Sequence, residues 1–145
     1  MYRRRLPHWR FTGSTYFVTW HLVARQRKLL PAERSLVQSA LLYFQGQRYT
    51  IQAYVVMDDH VHMLVTPKDG YTLSKLLHTW KSFTAHELVK KYRRIAPIWQ
   101  TENFDRIVRD EAEFMQKAEY IYTNPQRRWP ETKEYQWMEF LGFES

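Results

Sequence analysis

The stretch YVVMDDHVHMLV at residues 54–65 contains two apolar runs separated by a short acidic break. Runs rich in β-branched residues on either side of Asp58 and Asp59 predict two strands joined by a tight turn. Side chains at positions i and i+2 of a strand point to the same face, so the imidazoles of His60 and His62 project side by side from the second strand. Imidazole is a common metal ligand, and the pair is therefore a candidate metal site. A His-x-His pair alone is a weak indication, and its weight depends on a second segment near the C-terminus.

The segments that precede and follow this hairpin predict further elements. Residues 16–23 are dense in aromatic and β-branched side chains, which favours a first strand. A helix with a regular apolar stripe opens at Pro31, and a longer helix runs from a Thr72 cap to about Arg94. Basic residues crowd the end of this second helix, and we interpret them as a solvated helix end, with a DNA contact as the alternative. These residues are Lys90, Lys91, Arg93 and Arg94.

The C-terminal third of the chain predicts a short strand and one more helix. The strand is expected at residues 103–108. Asp110, with Glu113 three residues later, predicts the start of the helix. The residue before a proline is disfavoured in the α conformation, so the helix is expected to end near Asn124, just before Pro125.

The resulting order βαββαβα predicts a single α+β domain over residues 1–145 with a ferredoxin-like, split βαβ architecture. In this plan an antiparallel sheet carries helices mainly on one face, and its first and third strands lie at the centre. The histidines are therefore expected on a central strand, with the uncovered sheet face available for a site. Residues 1–11 are expected to form a basic N-terminal arm that can lie on phosphates, with a short disordered tail as the alternative, and residues 126–145 are a tail without a predicted element.

Charge and composition restrict the classes of function. A net charge of +7 and an isoelectric point near 9.7 indicate a polyanionic partner. Aromatic residues make up 17% of the chain, and aromatics among basic residues suit single-stranded nucleic acid, because unpaired bases stack on flat rings. From composition alone, the alternative is that the aromatic residues are mostly core and the charge is a solvated surface. The absence of cysteine excludes disulfides and thiolate zinc sites and fits a cytoplasmic, nucleoid-associated protein. No apolar run has the length of a membrane helix or a signal peptide, so no membrane partner is expected.

The predicted third helix ends in the sequence EYIYTNP at residues 119–125. Tyr120 and Asn124 are four residues apart and share a helix face. Tyr122 lies about 200° around the helix axis from Tyr120. If Asn124 reaches a metal held by the histidines, Tyr120 lies beside that metal and Tyr122 faces elsewhere.

The segments MDDHVH at residues 57–62 and YIYTNP at residues 120–125 resemble the two signatures of the HUH single-strand endonucleases with one catalytic tyrosine. HUH denotes two histidines around a hydrophobic residue. Within that superfamily the chain most resembles the REP-associated tyrosine transposases, relatives of the single-strand insertion-sequence transposases. The opening RRRLPHW at residues 3–9 and YFVT at residues 16–19 also match the usual start of the family. The resemblance extends to about residue 130, and the family has the ferredoxin-like sheet predicted above.

Carried over by position, the resemblance implies that His60 and His62 bind a metal, that Tyr120 is the nucleophile, and that Asn124 is the third ligand. Other members of the superfamily use glutamine or a third histidine at that place, and a helix cap is the alternative role for Asn124. The implied ion is Mg²⁺ or Mn²⁺, of which a mixed nitrogen and oxygen set suits Mn²⁺ better. Attack by Tyr120 on a phosphodiester would give a 5′-phosphotyrosine and a free 3′-hydroxyl.

The function implied by the resemblance is cleavage and joining of single-stranded DNA at hairpins formed by repeated extragenic palindromes. The alternative is a catalytically inactive module that still binds hairpin DNA. A two-histidine phosphoesterase would need two separate His-x-Thr/Ser motifs, and the sequence has none. A monomer and a homodimer are both compatible with the resemblance. The candidate DNA-binding residues are Arg3, Arg4 and Arg5 in the arm and Lys75 and Lys81 on the second helix.

Overall fold

The predicted hairpin forms the centre of a five-stranded antiparallel sheet in the computed structural model, which describes residues 13–141. Across the sheet the strand order is β4-β1-β3-β2-β5, so the predicted ferredoxin-like plan, with the first and third strands side by side, is confirmed. No helix in this part of the chain is long and apolar enough to cross a membrane. In chain order the elements are β1 (Tyr16–His21), α1 (Pro31–Leu42), β2 (Tyr49–Val56), β3 (His60–Pro67), α2 (Leu73–Tyr92), β4 (Phe104–Ile107), α3 (Glu111–Arg128) and β5 (Met138–Phe140).

The C-terminal tail contains a strand that the sequence pattern does not predict. In β5, Met138 pairs with Val55 and Phe140 pairs with Ala53, which extends the sheet beyond β2. A strand of three residues is too short to show an alternating pattern, so it depends on the edge that β2 offers.

The two faces of the sheet are covered to different extents. On one face, which we call the α1/α2 face, Val61, Met63 and Val65 of β3 join the larger buried cluster. On the other, the α3 face, Leu64 packs against the apolar side of α3. The alternation predicted along β3 is confirmed, but the histidine face is partly covered by α3 and is not open along its whole length. The residues that α3 contributes to this cluster are Phe114, Ala118 and Ile121.

The third helix extends one turn further than the proline predicts. It continues past Asn124 to Arg128, with Pro125 inside it. Pro125 has no N–H to donate to the carbonyl of Ile121, so one backbone hydrogen bond of the helix is missing. Ile121, Asn124 and Pro125 are all buried, and this packing maintains the helical conformation past the proline. The C-cap is Trp129, whose N–H donates to the Pro125 carbonyl at 2.7 Å, so the helix-cap alternative for Asn124 is wrong.

A buried ion pair joins the start of α1 to the end of α2. Arg94 is 5% exposed and donates to the two carboxylate oxygens of Glu33 at 2.7 and 2.9 Å. Burial opposes ionisation of Glu33, but hydrogen bonds from Arg94, the Leu30 N–H and Arg27 outweigh it and lower the pKa of this carboxyl to about 2. The interpretation as a solvated helix end is therefore wrong for Arg94, whereas Lys90 is exposed.

Candidate active site

The first histidine of the pair has its tautomer set by the residue before it. Nδ1 of His60 lies 2.7 Å from Oδ1 of Asp59. Partial burial of Asp59 opposes its ionisation, but hydrogen bonds from Lys28 and His60 outweigh this effect and lower its pKa to about 2. An ionised carboxylate only accepts hydrogen bonds, so Nδ1 of His60 carries a hydrogen, and in the neutral ring Nε2 presents a lone pair. A carboxylate in this position is a common partner of a metal-binding histidine.

The second histidine lies on the same sheet face, with its ring centre 4.5 Å from that of His60. Its Nδ1 is 2.6 Å from the hydroxyl oxygen of Thr19 on β1. Burial, which penalises the charged form of the ring, is the largest cause that lowers the pKa of His62 to about 2, so the ring is neutral at physiological pH. When Nδ1–H donates to Thr19, Nε2 of His62 keeps its lone pair for a ligand.

Asn124 approaches the histidine pair from α3, and we use the word cleft for the meeting point of these three side chains. The residue is 7% exposed, and its Oδ1 is 3.2 Å from Nε2 of His60. In the tautomer that Asp59 favours, a lone pair on nitrogen therefore faces a lone pair on oxygen. Two acceptors at this separation repel each other, and a cation between them converts the repulsion into attraction.

The residues of the cleft fit a divalent metal ion. Neighbouring ligands of an octahedral ion with metal–ligand distances of about 2.1 Å lie roughly 3 Å apart, close to the separation of His60 and Asn124. Within residues 13–141 no three His, Cys, Asp or Glu side chains are grouped to hold a metal. A third protein ligand from this region therefore has to be of another type, and the amide oxygen of Asn124 is suitably placed.

Tyr120 lies beside His62, one helical turn before Asn124. Its ring centre is 5.1 Å from that of His62 and 6.1 Å from that of Phe17 on β1. Phe17 in turn stacks on His62, with ring centres 5.5 Å apart. Because Tyr120 is 43% exposed, a substrate can reach it from solvent. Its role as nucleophile stays a prediction.

Tyr122 points to a different side of α3. Its ring lies 5.8 Å from that of Phe140 on β5, away from the histidines. The structure therefore agrees with the helix geometry predicted for the two tyrosines. The tyrosine helix lies against the histidines of its own chain, so one chain supplies all four candidate residues.

Two arginines in the last turn of α3 have different surroundings. The Cζ atom of Arg127 lies 4.5 Å from the centre of the Tyr120 ring, and its Nη atoms donate to the Thr123 hydroxyl at 2.5 Å and the Tyr120 carbonyl at 3.3 Å. Among residues 13–141 no carboxylate pairs with Arg127. Arg128, by contrast, pairs with both carboxylates of the turn before β3, at 2.5 and 3.2 Å. Arg127 thus keeps its charge, and further N–H donors, available beside the candidate nucleophile.

Three residues of this site are not predicted from the sequence. Thr19 lies opposite His62 across the sheet, and His21 lies opposite His60 and stacks on it with ring centres 5.1 Å apart. The period of two along β1 places Thr19 and His21 on one face, but the partner strand and its register are not visible in a local pattern. Arg127 is missed because the proline predicts a helix end before it.

The lysines predicted to bind DNA lie away from this site. Lys75 and Lys81 both belong to α2, which packs on the opposite face of the sheet from the histidines. Lys75 is exposed, and its role stays a prediction. The ammonium group of Lys81 is occupied by the segment before β4, so its position does not support a DNA contact. It donates at 2.7, 3.2 and 2.6 Å to Gln100 O, Thr101 O and Asn103 Oδ1. Outside the described residues lie Arg3, Arg4 and Arg5.

Three known proteins resemble this chain in sequence or in fold. A curated relative from Escherichia coli (strain K12), a REP-associated tyrosine transposase, is 26% identical over 117 residues, which cover 78% of this chain and 67% of the relative. A solved structure of a REP-associated tyrosine transposase bound to a REP hairpin matches with a TM-score of 0.69 at 24% identity, over 84% of this chain and 72% of that chain. A solved transposase-like chain from Deinococcus radiodurans matches with a TM-score of 0.58 at 17% identity, over 78% and 92% of the two chains.

The structural matches share the fold of this chain. The family model for IS200-like transposases matches residues 15–124, which include both strands of the histidine hairpin and most of α3. The matched region contains His60, His62, Tyr120 and Asn124, and it covers more than half of the chain. On this evidence the protein belongs to the IS200-like transposase family.

Proposed function

We propose that this protein is a metal-dependent enzyme that cleaves and rejoins single-stranded DNA beside hairpins, with Tyr120 as the nucleophile. One observation carries the proposal: a single helix brings Tyr120 against His62 and Asn124 against His60. A hydroxyl nucleophile, a set of metal ligands and access for a substrate are the parts that phosphodiester transfer requires. Membership of a transposase family supports the same class of reaction.

In the proposed first step the hydroxyl oxygen of Tyr120 attacks the phosphorus of a phosphodiester, in line with the 3′ oxygen. The bond from the tyrosine oxygen to phosphorus forms, and the bond from phosphorus to the 3′ oxygen breaks. The proton that tyrosine loses is balanced by the proton that the 3′-hydroxyl gains. The product is a 5′-phosphotyrosine, and because the phosphoester is retained, a second 3′-hydroxyl can reverse the step and join strands without ATP.

The cleft offers ligands for Mg²⁺ or Mn²⁺. His60 and His62 would hold the ion through Nε2, and Asn124 would hold it through Oδ1. When bound, such an ion polarises a non-bridging phosphate oxygen and offsets the charge that develops during transfer. Asp59 and Thr19 keep the two imidazoles in the ligating orientation through their contacts with Nδ1.

Two neighbours orient the Tyr120 ring. Phe17 contacts it edge to face, at an interplanar angle of 80°, and Arg127 covers the ring. These contacts restrict the orientation of the ring. The guanidinium of Arg127 would also attract the phosphate group that Tyr120 attacks.

Hairpin DNA is the substrate class that the relatives favour. The Escherichia coli relative is REP-associated by name, and a structural neighbour is bound to a REP hairpin. A net charge of +7 suits a polyanion of this kind. A module that only binds hairpin DNA would share this charge, and the retention of Tyr120, His60 and His62 argues against that alternative.

A covalent-adduct assay tests the proposal. The protein is incubated with a labelled pool of single-stranded hairpins, REP-like palindromes included, in Mn²⁺ or in EDTA, and DNA-linked protein is resolved on a denaturing gel. Tyr120→Phe and Tyr122→Phe are matched variants, because each removes one hydroxyl from side chains with similar exposure, 43% and 46%. We expect a Mn²⁺-dependent adduct with the wild type and Tyr122→Phe, no adduct with Tyr120→Phe, and hairpin binding by all three.

Each other outcome removes a defined part of the proposal. Hairpin binding without an adduct under any condition would favour the inactive binding module. An adduct that persists in Tyr120→Phe and disappears in Tyr122→Phe would show that the nucleophile is on the other side of α3. An adduct that forms equally well in EDTA would show that the reaction does not require a divalent metal ion.

A further inference from the structure

A large apolar side chain is left open on the sheet face that carries the candidate site. Phe104 belongs to β4, and its partner across the sheet is Thr19, the residue that contacts His62. Directly paired residues of neighbouring strands share a sheet face, so Phe104 lies on the histidine face, one strand beyond β1. Phe104 is 55% exposed, and its ring is therefore accessible.

Phe17 connects Phe104 to the candidate nucleophile. Its ring centre is 6.3 Å from that of Phe104 and 6.1 Å from that of Tyr120, both in edge-to-face arrangements. Phe17 is only 4% exposed, so both neighbours pack against one buried ring. The ammonium group of Lys117 lies 5.3 Å from the centre of the Phe17 ring and adds a cation to the cluster. An open aromatic ring with a cation nearby, beside a nucleophile for phosphodiesters, is what an unpaired nucleotide requires.

Phe83 shows that exposure alone does not mark such a position. It is 52% exposed, nearly as much as Phe104, but it lies on α2 and lines a groove between α1 and α2 on the opposite face. Isolated exposed apolar side chains are ordinary on protein surfaces. Phe104 differs because a single buried ring separates it from Tyr120.

We propose that Phe104 stacks on an unpaired base of the DNA strand next to the phosphodiester that Tyr120 attacks. This inference rests on the function proposed above and adds a base-binding site to it. The ligand is a base of single-stranded DNA, because a base inside a duplex has no free face to offer. Stacking on an aromatic ring tolerates every base, so this site positions the strand without reading its sequence.

Fluorescence of 2-aminopurine tests this stacking without requiring cleavage. The analogue is placed in turn at each unpaired position beside the hairpin, and the DNA is bound by Tyr120→Phe protein, which leaves the strand intact. Each of the changes Phe104→Ala, Phe104→Leu and Phe104→Trp is then added to the Tyr120→Phe protein. Phe83→Ala in the same protein is the matched control. We expect one position whose fluorescence is quenched on binding. Phe104→Ala and Phe104→Leu should lose the quenching and bind roughly 5- to 150-fold more weakly, the range for one stacked base, whereas the Trp variant and Phe83→Ala should bind normally.

An abasic substitution at the quenched position sharpens the test. Removing the base and removing the Phe104 ring break the same contact, so the two changes together should weaken binding no more than either alone. Binding by Phe104→Leu at the wild-type affinity would overturn the stacking site, because leucine keeps apolar volume but lacks the ring. Additive losses would overturn it as well.

Failure of the stacking site can be distinguished from failure of the proposed nuclease activity. If wild-type protein forms the Tyr120 adduct and Phe104→Ala retains both quenching and affinity, only the stacking site is wrong. If no adduct forms but quenching depends on Phe104, the stacking site stands and the nuclease activity does not. If no hairpin or flanking strand binds at all, both proposals are wrong.

Discussion

On the α1/α2 face of the sheet, the buried charges of Glu33 and Arg94 satisfy each other, whereas on the α3 face two histidines and Asn124 meet beneath an exposed tyrosine. Glu33 and Arg94 share two hydrogen bonds. On the α3 face, Nε2 of His60 and Oδ1 of Asn124 lie 3.2 Å apart, and in the neutral His60 tautomer that Asp59 favours both are acceptors. Tyr120, one helical turn before Asn124, is exposed.

This difference separates groups that stabilise the fold from groups that await a ligand. A buried charge that already has its partner contributes to stability and offers nothing to a substrate. In that tautomer the two acceptors have no hydrogen between them and gain a common partner when a cation binds, and such local conflict is typical of functional sites. Substitutions on the α1/α2 face should therefore change stability, and substitutions on the α3 face should change activity.

The largest expected effect is the loss of activity from His60→Ala. This change removes one proposed metal ligand and leaves the α1/α2 face untouched. We expect adduct formation to slow by roughly 10³-fold, in line with the several kcal/mol that a catalytic ion contributes. Single-turnover adduct formation at saturating Mn²⁺ measures the rate, and thermal unfolding should show a melting temperature near that of the wild type. Adduct formation at the wild-type rate would show that His60 holds no catalytic ion.

Glu33→Gln should produce the opposite result, a loss of stability with activity retained. The buried guanidinium of Arg94 would lose its charged partner, and such a loss costs about 3–5 kcal/mol of unfolding free energy. Urea unfolding measures this quantity, and the adduct rate per folded molecule should match the wild type. Glu87→Gln is the control, because Glu87 pairs with Lys91 on the surface of α2 and its loss should change stability little. An equal loss of unfolding free energy in Glu33→Gln and Glu87→Gln would contradict the prediction that a buried ion pair is more costly to break than a surface pair.

Acid should destabilise the protein through the same carboxylate. The pKa of Glu33 is about 2 in the folded protein against an ordinary value of 4.5, so the ionised form stabilises the fold above about pH 4.5. This contribution, on the order of 3 kcal/mol, is lost as the pH falls from about 5 toward 2, because the folded protein takes up the proton later than the unfolded chain. Unfolding free energies measured across this range should decline less steeply for Glu33→Gln. Asp59, with a similarly lowered pKa, contributes equally to both proteins.

Thr19→Val should weaken metal binding without disturbing the sheet. Valine has nearly the shape of threonine but has no hydroxyl to hydrogen-bond with Nδ1 of His62, so the ring loses its orienting partner. Loss of such a partner typically costs 10- to 100-fold in metal affinity. The Mn²⁺ concentration that gives half-maximal adduct formation measures this effect. Thr15→Val is the control, since the Thr15 hydroxyl contacts Thr66 rather than a histidine, and an equal shift in both variants would count against the orienting role.

Local patterns in the sequence predict much of this contrast. The alternation along β3 separates Val61 and Met63 from the two histidines, because the period of a strand is visible in one short segment. The four-residue spacing of Tyr120 and Asn124 likewise predicts a shared helix face. Both inferences need only the geometry of one element, and the structure agrees with both.

The remaining features depend on residues that are distant along the chain. Arg94 looks like a solvated helix end until Glu33, 61 positions earlier, is brought against it. Thr19 and His21 join the site only through the register between β1 and β3. Pro125 predicts a helix end, but burial of its neighbours against the sheet outweighs this local preference. Tertiary packing decides each of these cases, and no local pattern records it.

The turn of helix beyond Pro125 leads to the smallest predicted effect, that of Arg127→Ala. Arg127 covers the Tyr120 ring and has no carboxylate partner among residues 13–141, so its loss removes one restraint on the ring and one cation near the phosphate. A cation–π contact at an exposed site contributes about 0.5–1 kcal/mol, and we expect adduct formation at saturating DNA to slow roughly fivefold.

Two variants separate this role of Arg127 from the general loss of a positive charge. Arg127→Lys keeps the charge without the planar group, so it should restore part of the rate. Arg48→Ala removes an arginine whose Cζ atom lies 3.5 Å from the ring centre of Phe44, beside the α1/α2 face, and it should leave the rate unchanged. If Arg48→Ala slows the reaction as much as Arg127→Ala, the effect belongs to the net charge of the protein. In that case the position of Arg127 over the nucleophile has no part in the reaction.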